Sequence, residues 1–173
     1  MRETPSQTAG PYVHIGLAPE AAGLGGMAGL GRAIFGPDEP GERIRIEGIV
    51  LDGAGAPVTD ALIEVRQADG SGRVRADGGW GRVVPDFGTG EWVIETVMPG
   101  AADGAPHLAL WIVARGINLG LHTRLYFEAA DGDPVLMAAG DRAGTLVAER
   151  ISDGLYRHEI RLQGAGETVF LDL

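Results

Sequence analysis

The stretch Arg43-Ile44-Arg45-Ile46-Glu47-Gly48-Ile49-Val50 alternates polar and apolar residues over most of its length. Such alternation puts one set of side chains on a buried face and the other in water, so it predicts a half-buried β-strand. Ile63-Glu64-Val65-Arg66 repeats the pattern. Working outward, residues 91–98, 107–114, 122–127, 145–150, 155–162 and 168–173 are further strand candidates, although Arg157-His158-Glu159-Ile160-Arg161-Leu162 alternates less cleanly. Asp52-Gly53, Asp69-Gly70 and Asp131-Gly132 sit between these runs, and Asp-Gly pairs suit tight turns. With Gly 29 and Pro 10 in 173 residues, the punctuation is that of short strands joined by turns. Seven or eight such strands predict an all-β fold, an antiparallel β-sandwich with an extended N-terminal arm and long loops. Helix signals are confined to two short segments, residues 19–24 and 134–139.

Two segments fall outside the strand pattern. Residues 1–20 are expected to form an extended arm. Residues 21–41 are rich in glycine and alanine, with Met27, Leu30, Ile34 and Phe35 as apolar anchors. These anchors need a surface to pack on, and composition leaves the chain's own sheet and a partner chain equally open. The organisation expected is an arm and loop over residues 1–41, packing on a partner, followed by a sandwich over residues 42–173.

Composition excludes several chemistries. The chain carries 24 acidic and 14 basic residues, a formal net charge of -10, and every basic residue is arginine. Its acidity disfavours generic binding to a phosphate backbone. Without lysine there is no phosphate-cradling GxxxxGK loop, and without cysteine no disulfide, thiolate nucleophile or thiolate metal site. Ser6, Ser71 and Ser152 lie in turn-like contexts with no nucleophile elbow around them. His14, His107, His122 and His158 show neither i,i+2 nor i,i+4 spacing, so each reads as structural rather than as a metal ligand. No apolar run approaches the roughly 18 residues of a membrane span, and the start has no apolar signal region, so a cytoplasmic protein is expected.

Four segments in order along the chain carry a resemblance. Thr4-Pro5-Ser6-Gln7-Thr8-Ala9-Gly10-Pro11-Tyr12 resembles the N-terminal motif of the intradiol ring-cleavage dioxygenase family. Glu64-Val65-Arg66-Gln67-Ala68-Asp69 resembles its strand-to-turn segment, with Arg66 where tryptophan is usual. Ala114-Arg115-Gly116-Ile117-Asn118, followed by Leu121-His122-Thr123-Arg124-Leu125-Tyr126-Phe127, is similar to the alpha-chain form of the next motif. The end, from Arg161 to Leu173, looks like an alpha-chain terminus.

The resemblance implies a β-sandwich and a place in an oxidoreductase built from alpha–beta protomers of a larger oligomer. In such enzymes a homologous beta subunit holds a non-haem Fe(III) with two tyrosines and two histidines, and hard oxygen donors suit ferric iron. The reaction implied is the opening of protocatechuate by O2 to 3-carboxy-cis,cis-muconate. The corresponding ligand positions here are Val74, the tyrosine-free stretch 99–106, His107 and Ala109, so one ligand of four remains and the chain is expected to hold no metal and no catalytic residue of its own. The resemblance assigns Thr8, Pro11 and Tyr12 to the substrate pocket and Arg115 to the substrate. A guanidinium complements the carboxylate of protocatechuate. The competing reading of Arg115 is a surface or interface ion pair. Arg124, Tyr126, His107 and His122 read as structural. A non-catalytic β-sandwich binding module is the alternative from another class, because fold does not fix function. An independent dioxygenase with a rebuilt metal site is disfavoured by the missing ligands.

Overall fold

Eight strands form two four-stranded sheets in a computed structural model that describes residues 8–10, 12–24 and 34–172. The strands are β1 (Arg43–Leu51), β2 (Leu62–Gln67), β3 (Trp80–Val83), β4 (Glu91–Val97), β5 (His107–Val113), β6 (Leu121–Tyr126), β7 (Glu149–Ser152) and β8 (Leu155–Arg161). The first sheet runs β4-β1-β8-β7 and the second β3-β2-β5-β6. All pairs are antiparallel except β1 with β8, which run parallel in the middle of the first sheet.

Alternation works as expected on β1: Ile44, Ile46 and Val50 are buried while Arg43 and Arg45 face water. Trp92 and Ile94 of β4 and Tyr156 and Ile160 of β8 bury with them. Across the sandwich they meet Ile63, Val65, Leu108, Leu110, Ile112 and Leu125. Each large apolar side chain withdrawn from water contributes about 1.5–3 kcal/mol, and this common core holds the two sheets face to face. Gly48 has a packing reason. It stands in register between Trp92 and His158, and a Cβ there would run into the Trp92 indole and the His158 carbonyl. His158 is buried in that row, and desolvation pushes its pKa down to about 4.

Several expectations are corrected. Residues 12–17 of the arm are not extended but form a short helix, α1 (Tyr12–Leu17), which turns His14 inward. Residues 19–24 form turns rather than a helix. Residues 145–150 are not one strand, because a 3-10 turn (Gly140–Leu146) continues from α2 (Pro134–Ala139) and buries Leu146 before β7 begins. Residues 168–172 run beside β6 with a single bridge, Leu171 to His122, and residue 173 lies outside the described residues. β3, which carries no clean alternation, pairs along the edge of β2. In the loop, Ile34 and Phe35 bury in the chain's own core. Met27 and Leu30 lie outside the described residues.

Candidate functional site

Ala114 is the last buried residue after β5, and the chain then turns through Arg115 and Gly116. Gly116 has φ +86°, a left-handed conformation that a side chain would strain. The arm grips this turn from outside. The Thr8 hydroxyl donates to the Ala114 carbonyl at 3.1 Å and accepts from the Gly116 amide at 2.8 Å, so it bonds the backbone on both sides of Arg115. Two more contacts hold the arm to the second sheet. His14 Nε2 lies 3.4 Å from the carbonyl of Ala61, which acts as acceptor when that nitrogen carries the proton, and Arg82 Nη1 donates to the Leu17 carbonyl at 2.8 Å. The Arg115 side chain is 72% exposed, and its Nε donates to the Asp60 carboxylate in the turn before β2.

Thr8 and Arg115, chosen from separate motifs, therefore meet. Tyr12 opens α1 with its side chain 80% exposed. Pro11 lies outside the described residues. Asp60 had no signal in the sequence: it is one of 24 acidic residues, 55 positions from its partner.

The positions that would hold iron do not fit it. Val74 is exposed and has no donor atom. The loop 99–106 is closed by Asp133, which accepts from the Ala105 amide at 2.9 Å, and Gly104, at φ +102°, leaves the space that this carboxylate occupies. Ala109 sits in register between Arg66 and Arg124, so a methyl flanked by two arginine positions stands on that face. His107 hydrogen-bonds through Nδ1 to the Ala105 carbonyl at 2.8 Å, and its pKa is lowered, first by burial, with Arg124 adding to the shift. One imidazole beside a guanidinium is no site for a trivalent cation. Among the described residues, no group of three or more His, Cys, Asp or Glu is placed to hold a metal ion.

Nearby, Asp133 caps α2 by accepting from the amides of Val135 and Leu136 at 2.9 and 3.0 Å, and it accepts from the Tyr126 hydroxyl at 3.0 Å. Gly120 leaves room for the Trp111 indole, which a Cβ would strike. A cleft of about 610 Å³ lies elsewhere, between the arm and the edges of β3 and β4. Neither Thr8 nor Arg115 lines it; of its three arginines Arg45 and Arg82 are paired with Glu95 and Glu64, and Arg43 donates to the Gly36 carbonyl. We therefore take the Arg115 turn as the site.

No family model matches the chain. Two curated proteins do. The protocatechuate 3,4-dioxygenase alpha chain of Pseudomonas putida is 46% identical over 193 aligned positions, covering 98% of this chain and 96% of that one. The alpha chain of the same name from Burkholderia cepacia is 39% identical, covering 100% of this chain and 98% of that one. The chain belongs to the protocatechuate 3,4-dioxygenase alpha-chain family. Solved intradiol dioxygenases share its fold. The dioxygenase domain of a carbohydrate-binding fusion protein from Streptomyces sp. SirexAA-E has a TM-score of 0.61 at 23% identity, over 76% of this chain and 86% of that one. Catechol 1,2-dioxygenase from Pseudomonas arvilla C-1 has a TM-score of 0.58 at 19% identity, over 76% of this chain and 55% of that one. The protocatechuate 3,4-dioxygenase alpha-chain family is thus one of intradiol ring-cleavage oxidoreductases.

Proposed function

We propose that this chain is the non-iron-binding subunit of a protocatechuate 3,4-dioxygenase. In this reading a homologous beta subunit carries the Fe(III), and the two chains form protomers of a larger oligomer in the cytoplasm. The partner's iron supplies the oxygen chemistry. Both atoms of O2 enter protocatechuate, and the ring opens to 3-carboxy-cis,cis-muconate. This chain binds and orients. Arg115 meets the substrate carboxylate, Thr8 fixes the turn that carries it, and Pro11 and Tyr12 border the pocket. Residues 1–41 supply much of the surface for the partner. Tyr12 and Ile15, both exposed on α1, support that role, since exposed apolar residues are common at interfaces.

The observation that carries the reading is the clamped turn with an outward guanidinium. Its backbone is held on both sides by Thr8 while the side chain stays 72% exposed. The test is Arg115→Ala in the complex co-expressed with the beta subunit. Loss of one charge-assisted recognition contact should lower kcat/KM for protocatechuate by about 1–3 kcal/mol of transition-state binding, with iron content unchanged. Arg115→Lys should recover part of it, because a point charge lacks the planar fork. Catechol, which has no carboxylate, should be affected less. Equal losses on both substrates would remove the carboxylate role.

A further inference from the structure

We infer that Asp60 is a positioning residue for substrate recognition: it holds Arg115 by one edge and leaves the other edge for the carboxylate of the substrate. The inference rests on the reading of Arg115 given above. Its own observations are geometric. Asp60 bonds Arg115 through Nε alone, and neither Nη nitrogen of Arg115 has a partner among the described residues. The guanidinium plane offers a bidentate carboxylate its paired Nη edge when Nε is already engaged. Asp60 makes no other hydrogen bond among the described residues, so its carboxylate is not needed to close its own turn.

The surrounding contacts agree with this division. Thr8 fixes the backbone of the Arg115 turn but cannot fix a side chain with four rotatable bonds that is 72% exposed. Without a holder, that side chain would give up its rotamer freedom each time substrate bound. Asp60 removes much of that freedom beforehand. It is itself stationed, because the adjacent Ala61 is fully buried, its carbonyl meets His14, and β2 starts one residue later. Asp60 also brings a negative charge toward an anionic substrate. That repulsion acts across the guanidinium and through solvent, where screening is strong, whereas the restraint acts through a direct hydrogen bond from Nε. Positioning is therefore the larger effect.

The experiment uses the complex with the beta subunit and compares Asp60→Ala, Asp60→Asn, Arg115→Ala and the Asp60→Ala/Arg115→Ala pair, with protocatechuate and catechol as substrates. Asp60→Ala is expected to raise the KM for protocatechuate roughly 3–10-fold, with kcat moved far less, the mark of lost ground-state binding. Asp60→Asn keeps an acceptor oxygen at the same reach and is expected to recover most of the loss. The KM for catechol is not expected to follow. In the Arg115→Ala background, Asp60→Ala should add nothing, because it acts through Arg115. An unchanged or lowered protocatechuate KM in Asp60→Ala overturns the inference, the lowered value making Asp60 a mere neutraliser. So does a further loss in the double variant. If Arg115→Ala shows no preference for the carboxylate substrate, the parent reading fails instead, and the two failures are distinct.

Discussion

Replacing Asp133 with alanine should strike the fold at the 99–106 loop. The side chain is almost fully buried and accepts four hydrogen bonds, from the amides of Ala105, Val135 and Leu136 and from the Tyr126 hydroxyl. Loss of the helix cap alone costs about 0.5–2 kcal/mol. The fully buried Tyr126 hydroxyl would lose its acceptor, and an unsatisfied buried donor costs about 1–3 kcal/mol. Taken together and treated as partly overlapping, these give about 3 kcal/mol. For a chain of this length that lowers the Tm by about 6–12 °C. Asp133→Asn should fall between, since one oxygen still caps α2 while its amino group faces the Ala105 N–H. Thermal unfolding followed by circular dichroism provides the measurement. A fall of less than about 2 °C would mean that water replaces the carboxylate at no cost, and the account of the 99–106 loop would fail.

Two further outcomes are expected. His158 is buried with its pKa down to about 4 from 6.5, so the unfolded chain takes up the proton first. The associated stability is complete above pH 6.5 and is lost as pH falls toward 4, about 3 kcal/mol in all; urea unfolding at pH 7 and 4.5 should show a steeper loss in the wild type than in His158→Gln, and equal slopes would reject the assignment. Thr8→Val removes both bonds to the Arg115 turn while keeping the side-chain shape, and should raise the KM for protocatechuate in the complex, whereas Thr8→Ser should stay near the wild type. Identical behaviour of the two variants would show that the hydroxyl is not the clamp.

What the sequence reveals depends on whether one face is wet. β1 alternates in sequence because its outer face meets water, and its pattern was readable; β8 alternates less cleanly, and β4 was legible as an apolar run between turns although both bury alternate residues. The short helix signal over residues 134–139 is met by α2, and the structure adds its cap, Asp133, with Pro134 opening the helix. β3 was not, because four residues with a glycine among them give no period. α1 spans too few residues for a helical repeat to register. At the site, Thr8 and Arg115 came from motif resemblance, since nothing in their local chemistry distinguishes them. Asp60 was illegible for a different reason: its contact with Arg115 exists only after β2 and β5 pair and bring two turns together.

The parallel pairing of β1 with β8 has a consequence for synthesis. Arg45 pairs with Leu155, about 110 residues later, so the middle of the first sheet lacks a strand until nearly the whole chain has left the ribosome. The second sheet closes earlier, since β2, β3, β5 and β6 are all made by residue 126. A nascent chain would thus carry a finished sheet whose apolar inner face is covered only by β1 and β4 until β8 and β7 arrive. Long-range closure of this kind is slow and exposes aggregation-prone surface. Recovery of the chain from recombinant expression should therefore depend on how quickly translation runs through β8, and slowing the codons just before residue 155 should lower the soluble yield more than slowing those after β6.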